Sequence, residues 1–447
     1  MPSPSGPTRR DLLLGAAVAG AALAACNSGA GRARSPNERL RIAVIGCGGK
    51  GLSDMQACAK GHDIIALCDV DEVSARNARE AQPKAAFYHD YRDLFDQEKP
   101  DAVVVATPDH SHAIPALIAM QLGYHVFVQK PLTHTVEEAR LLLATARRQG
   151  VVTSMGNQGT CLDGFRQAAE VVRSGAIGKV EQVHVWTNRP IWPQGTDRPK
   201  HIDPIPATLR WDLWLGPARW RPYAAGRNGF DGYAPFHWRG FWDFGTGAIG
   251  DMACHTANLP FFALELSAPE WVEAESSGSN AETAPKQSTI RFQFPARADR
   301  GPVLLTWYDG GRLPPTELLA SVDHRPEQAG GFLLVGSQGK LYSPTDYGER
   351  YELFPRAKFA GYQPPKPSLP RSPGVHEEWL QCILDRKRPL ASFEYAAPLT
   401  EAMLLGNVAL RTGQRIDWDA AAMRARNCPA AEQYLRRQYR REFRLPV

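Results

Sequence analysis

The chain has 447 residues, of which 43% are hydrophobic and 22% charged, ordinary globular proportions that exclude a disordered chain, a collagen-like repeat or a small disulfide-stapled scaffold. The 52 Lys and Arg exceed the 47 Asp and Glu by only five, and several of the positives precede residue 42. So diffuse an excess excludes a nucleic-acid footprint.

The N-terminus reads Thr8-Arg9-Arg10-Asp11-Leu12-Leu13-Leu14, then a small-residue apolar run to Ala25. A paired arginine before a short, weakly hydrophobic stretch resembles a twin-arginine export signal, and the run is too short and too Ala/Gly-rich to hold a permanent membrane helix. Leu23-Ala24-Ala25-Cys26 has the form of a lipoprotein box, so a lipid anchor at Cys26 is expected, with plain cleavage near Ala25 as the alternative. Residues 27–38 read as a tether. Beyond residue 30 nothing approaches the roughly 18–20 uninterrupted apolar residues of a membrane span. The eight cysteines show no CxxC pair, so neither a zinc cage nor a disulfide framework is expected.

Leu40-Arg41-Ile42-Ala43-Val44-Ile45 is an apolar run of the kind a buried parallel strand gives. It leads into Gly46-Cys47-Gly48-Gly49-Lys50-Gly51, a helical pattern over 52–60, and a second strand over 63–67 followed by Asp69. Gly46, Gly48, Gly49 and Gly51 permit a tight turn and close approach to a pyrophosphate at the helix N-terminus, beside Lys50. Asp69 stands 23 positions after Gly46, placed to bond ribose hydroxyls, and its charge repels a 2′-phosphate. NAD is therefore predicted, in preference to NADP.

Residues 101–107 read as another buried strand, running into Thr107-Pro108-Asp109-His110-Ser111-His112. A helix over 113–123, a strand over 125–128, a helix over 136–149 and a strand over 151–155 follow. This alternation predicts a doubly wound parallel sheet, with ligand beyond the carboxyl ends of the strands. Thr107, Pro108 and Gln129-Lys130-Pro131 occupy such ends. His110 and His112 lack the spacing and companions of a metal site, so no metal is expected.

From about residue 180 the pattern changes. Strands over 180–186, 271–276, 289–294, 303–308 and 332–335 lack regular helices between them, and a Pro-rich stretch over 355–373 precedes helices over 375–387 and 396–412. The predicted fold is α/β: an N-terminal Rossmann doubly wound parallel sheet over 39–155, then a C-terminal α+β domain over 156–447 with a largely antiparallel open sheet. Residues 1–38 are the signal and tether. Seven of the 11 tryptophans lie between 186 and 242, interleaved with arginines. Indoles stack on pyranose C–H faces, so Arg189, Trp192, Trp238 and Arg239 are candidate sugar contacts, although any one tryptophan also suits a core. Asp251 and His255 share a helical face, and an imidazole of near-neutral pKa suits a base for a hydroxyl proton. Lys130 can bond the alcohol and stabilise a developing alkoxide.

The glycine turn, VVVATPDHSHAIPALIAMQLGYHVFVQKPLT, MGNQG and GTGAIGDMACHTANL together resemble the Gfo/Idh/MocA family of glucose–fructose oxidoreductase and inositol dehydrogenase relatives. The resemblance covers nearly all of the chain beyond the signal. The family's Glu-Lys-Pro motif stands here as Gln129-Lys130-Pro131, a departure expected to tune the lysine, and its DxxxH motif matches Asp251 and His255. The resemblance implies Lys130, Asp251 and His255 around the carbon that exchanges hydride. It puts the loop of Thr107, Pro108, His110 and His112 near the nicotinamide ribose, Gln129, Asn157 and Gln158 in the cofactor site, and Asn258 against substrate. A dimer or tetramer built on one sheet face is implied too.

The expected function is NAD-dependent oxidation of a sugar hydroxyl in the periplasm, with the nicotinamide held tightly because no free pool recycles it there. A redox-neutral glycosidase is the alternative, through oxidation, elimination, hydration and reduction. A non-catalytic exported sugar-binding protein is the second. The expected partners are a sugar or glycoside and further copies of the chain, with no nucleic acid.

Overall fold

The computed structural model describes residues 38–226, 232–298, 300–324 and 330–446, so the export signal and Cys26 lie outside the described residues. Six parallel strands form the first sheet: β1 (Arg41–Ile45), β2 (Asp63–Cys68), β3 (Ala86–Tyr88), β4 (Ala102–Val105), β5 (His125–Val128) and β6 (Thr153–Met155). Their order is β3-β2-β1-β4-β5-β6, the doubly wound arrangement. Helices α1 (Gly49–Ala59), α2 (Glu72–Ala81), α3 (Tyr91–Gln97), α4 (Ala113–Gln121) and α5 (Val136–Gln149) connect them. Every residue of β4 is buried, as a central parallel strand requires. Helix α1 begins three residues before its apolar periodicity does, because the glycines carry no periodic signal. Strand β3 and helices α2 and α3 escaped the sequence reading. The only buried residues of α2 are Ala75 and Ala78, too small to print an apolar stripe.

Register places the site. Cys68, Ile45, Val105, Val128 and Met155 lie opposite one another across the sheet. One step beyond this row stand Asp69, Gly46, Ala106, Gln129 and Gly156, so residues far apart in sequence share one edge. Gly46 has φ +77, and a Cβ there would lie 2.7 Å from the Ala106 carbonyl oxygen. A Cβ on Gly51 would lie 1.8 Å from the Gly46 carbonyl oxygen, so α1 closes directly on the turn that begins it.

The chain continues through α6 (Asp163–Arg173), β7 (Val180–Thr187), α7 (Trp211–Leu215), α8 (Gly247–Thr256) and α9 (Asn258–Ala263). Then come β8 (Trp271–Ser276), β9 (Ser288–Phe294), β10 (Val303–Asp309), α10 (Thr316–Ala320), β11 (Gly330–Gly336), β12 (Gly339–Ser343) and β13 (Glu352–Phe354). Helices α11 (Val375–Asp385) and α12 (Phe393–Thr412) precede β14 (Ile416–Asp419) and β15 (Arg424–Ala425). The second sheet runs β13-β12-β11-β7-β10-β9-β8-β14-β15. It is antiparallel except where β7 pairs with β10. All ten residues of α8 are buried, and α12 packs against α8, α5 and β8.

Two segments of the second half reach across to the first sheet. Thr208 and Arg210 pair their backbones with Glu72 and Val70 at 3.0 and 2.8 Å, beside Asp69. Trp211, Trp214, Tyr233, Trp238, Phe241 and Phe244 form a small core of their own behind this strap. The C-terminal stretch follows. Arg440 bonds Asp212 at 2.6 Å, Tyr439 bonds Glu138 at 2.7 Å, and Phe443 is buried under the Arg92 guanidinium. Gly51→Ala forces α1 off the turn. It should lower the thermal midpoint by about 3–8 °C and weaken NADH binding about tenfold or more, checked by calorimetry and fluorescence titration.

Candidate active site

A cleft of about 830 Å³ runs along the strand-end edge of the first sheet and under the strap. One end is lined by Gly46, Gly48, Gly49, Lys50 and Asp69, the other by Lys130, Asp251, Arg239 and Trp238, with Thr107, Pro108 and Gln129 between. Helix α1 starts at the glycine turn, so its first backbone N–H groups are available to an anion there. The Asp69 carboxylate accepts from the Cys47, Gly48 and Asp71 N–H groups at 3.0, 3.2 and 3.0 Å. Burial nonetheless pushes its pKa up, against those bonds.

At the far end the Lys130 ammonium donates to the Asp251 carboxylate and to the Asp251 carbonyl, both at 2.9 Å. Burial works against the ammonium, but the adjacent carboxylate outweighs it and the Lys130 pKa is raised. Asp251 is also buried, yet Lys130 and Arg239 hold its pKa down, with the Arg239 guanidinium 3.4 Å away. The Arg239 guanidinium sits over Trp238 and Phe236, 4.4 and 4.3 Å from the ring centres. One turn along α8, His255 is 2% exposed and its Nδ1 has no hydrogen-bond partner. Burial, helped by the Lys130 charge, holds its pKa well below the usual range, so the ring is neutral at neutral pH.

Thr107 Oγ1, on the cleft wall, is buried without a partner, as are both amide atoms of Asn157, His255 Nδ1 and Asn258 Nδ2, residues that do not line the cleft. Leaving such atoms unpaired is costly. The glycine cradle and the helix N-terminus fit a dinucleotide.

Other predicted residues sit differently. His110 and His112 are fully buried and off the cleft wall. His110 lies 3.2 Å from the Phe244 carbonyl and 3.0 Å from that of Trp214, and His112 lies 2.8 Å from those of Pro131 and Thr107. Burial pushes the His110 pKa down to about 3. Both rings tie the loop after β4 to its surroundings. Gln158 opens a short 3₁₀ turn beside Asn157. Trp192 bonds Gln194 and lines a separate groove, and Arg189, next to it, bonds Asn188, so neither reaches the cleft. Of the seven clustered tryptophans only Trp220, 66% exposed, is open to solvent, and the segment is chiefly a core. Asn258 accepts from the Tyr395 hydroxyl at 2.6 Å.

Sequence reasoning missed three groups. Asp109 is buried and accepts from the Thr246 N–H and hydroxyl at 3.1 and 2.7 Å. Tyr347 stands edge-on to His255 with ring centres 4.7 Å apart. Asp54 lies fully buried under Gln129. Asp109 was overshadowed by the histidines beside it, Asp54 reads as an ordinary polar position of α1, and the loop holding Tyr347 has no pattern.

The fold is that of a dinucleotide-binding Rossmann protein. Family models describing the NAD-binding Rossmann fold and the C-terminal α/β domain of one oxidoreductase family match residues 40–157 and 166–296. The chain belongs to the Gfo/Idh/MocA family. It is 34% identical over 195 residues to a glycosyl hydrolase family 109 protein of Solibacter usitatus, covering 39% of this chain and 44% of that protein. It is 29% identical over 147 residues to 1-carboxy-3-chloro-3,4-dihydroxycyclohexa-1,5-diene dehydrogenase of Comamonas testosteroni, covering 32% and 37%. The matches therefore span less than half the length of these relatives. The WlbA dehydrogenase of Bordetella pertussis, solved with NADH and UDP-GlcNAcA, shares the fold at a TM-score of 0.59 and 18% identity, over 86% of this chain and 99% of that one.

Burial raises the Asp109 pKa to about 7 from an ordinary 3.8, against the Thr246 hydrogen bond. The folded state then binds this proton more tightly than the unfolded one. The resulting stabilisation is complete below about pH 4 and is lost as the pH rises through about 7. Asp109→Asn removes that dependence. Relative to wild type, its thermal midpoint should climb by roughly a few degrees between about pH 5 and 8 in parallel melts.

Proposed function

We propose that the protein uses a resident NAD to oxidise a hydroxyl of a sugar or sugar derivative. The observation that carries this reading is the Lys130–Asp251 pair beside the partnerless His255 Nδ1, at the end of a nucleotide-sized cleft. Bound NAD supplies the hydride acceptor. Lys130, kept charged by Asp251, donates a hydrogen bond to the reacting oxygen and steadies its growing negative charge. His255 is neutral and takes the hydroxyl proton at Nδ1. Arg239, fixed by its aromatic bed, bonds a neighbouring hydroxyl. The Asp69 carboxylate at the ribose end favours NAD over NADP. The strap and the C-terminal stretch roof the cleft, which supports a cofactor that stays bound through turnover.

Retention favours a second reading, as does the likeness to a glycosyl hydrolase family 109 protein. In a redox-neutral glycosidase the same residues serve transient oxidation, the aglycone leaves by elimination, water adds and the carbonyl is reduced again. Protein lacking residues 1–38, purified without added cofactor and mixed with pyranosides and aryl glycosides, separates the two. Reduced nicotinamide that accumulates once without aglycone supports the oxidoreductase; continuous aglycone release with little net reduction supports the glycosidase. Lys130→Met and His255→Ala should each lower kcat about 100-fold or more while bound nucleotide is retained. Turnover that survives His255→Ala unchanged removes His255 as the base, and wild-type protein that turns over none of these substrates returns the protein to a binding role.

Arg9-Arg10 and the Cys26 box make periplasmic export with a lipid anchor part of this proposal, as is assembly into a dimer or tetramer. Cys26→Ser should move the protein from the membrane fraction to the soluble one in cell fractionation, and a Cys26→Ser protein that stays in the membrane fraction contradicts the anchor.

A further inference from the structure

Below the strand-end edge, one buried carboxylate collects donors from three separate parts of the chain. Asp54, on α1, is 0% exposed. It accepts from the Gln129 amide at 2.7 Å, lies 2.9 Å from His376 Nε2 on α11, and pairs with the Lys50 ammonium from the glycine turn. The His376 ring is itself fixed, stacked on Phe127 of β5 with centres 4.8 Å apart.

A carboxylate only accepts hydrogen bonds, so it orients the Gln129 amide with its NH₂ inward. The amide oxygen then faces the other way, 3.3 Å from the Lys130 N–H. Gly156 leaves the space for this amide, since a Cβ there would lie 2.6 Å from that oxygen. Asp54 thus acts on the peptide from which the Lys130 side chain departs toward Asp251. A glutamate at 129 would set two carboxylates within hydrogen-bond distance and could not coexist with an ionised Asp54. The amide at 129 and the acid at 54 are complementary.

We propose that Asp54 is a positioning residue for Lys130, acting through the Gln129 amide that it orients from α1. The inference rests on the oxidoreductase reading for its kinetic test and needs no substrate for its structural one. The two residues form a single unit, so exchanging them should preserve it while changing either alone should break it.

The experiment compares Asp54→Asn, Gln129→Glu and the double exchange in the full-length, nucleotide-loaded protein. Each single change should lower kcat about tenfold or more with KM within about threefold, and the double exchange should return kcat to within about threefold of wild type. In parallel, acetylation of Lys130 by dilute acetic anhydride, followed by peptide mass spectrometry, should speed up about fivefold in the single variants and recover in the double. If Asp54→Asn does not fold, Gln129→Met replaces it, and it should speed Lys130 acetylation to a similar extent. Wild-type kcat and acetylation rate in Asp54→Asn, or a double exchange no better than the worse single, overturns the proposal. Protein that turns over no sugar but shows the acetylation pattern defeats the oxidoreductase reading and leaves this one standing.

Discussion

The active end of the cleft depends on one buried ion pair. Lys130 leaves the carboxyl end of β5, Asp251 sits within α8, and the 2.9 Å contacts between them join the dinucleotide sheet to the helix on which His255 stands. Removing two charges from water is expensive, and such a pair is tolerated only when geometry and further hydrogen bonds are good. Here they are: the ammonium reaches both the carboxylate and the carbonyl, and Arg239 supplies a second cation. The pair holds Lys130 as a cation, while burial above all, helped by the Lys130 charge, keeps His255 neutral.

Around that pair the chain arranges other buried charges so that each has a defined partner. Asp109 binds Thr246, the residue just before α8, and the side-chain amide of Asn407 on α12 donates to the Thr246 carbonyl. Gly250 allows this closeness, since a Cβ there would lie 2.0 Å from the Thr246 hydroxyl. These bonds tie together the loop after β4, helix α8 and helix α12.

The strap over the adenosine end answers a different need. Its backbone pairs with residues 70–72, its aromatic side chains pack behind it, and the C-terminal stretch crosses it. A groove closed by backbone pairing opens only when those bonds break together. Three of the seven tryptophans that resemble a sugar-binding surface in the sequence, Trp211, Trp214 and Trp238, belong to this packing.

Much of this was legible beforehand. The parallel sheet, the glycine turn and the position of Asp69 follow from short-range pattern: apolar runs mark buried strands and glycines mark a turn. Lys130, Asp251 and His255 were singled out through the family's lysine and DxxxH motifs, and the structure brings the first two into contact. The second sheet was legible only as a run of strands; its order, and the parallel β7–β10 pair within it, depend on long-range pairing that no local pattern encodes. The sequence also left Asp54, Asp109 and Tyr347 unremarked, and offered as substrate contacts Trp192, which the fold directs to another groove, and Arg189, which bonds Asn188. What makes a carboxylate functional or an indole structural is which distant segment packs against it. Periodicity is a property of neighbours along the chain, whereas burial and partnership belong to neighbours in space, and only the tertiary structure determined those.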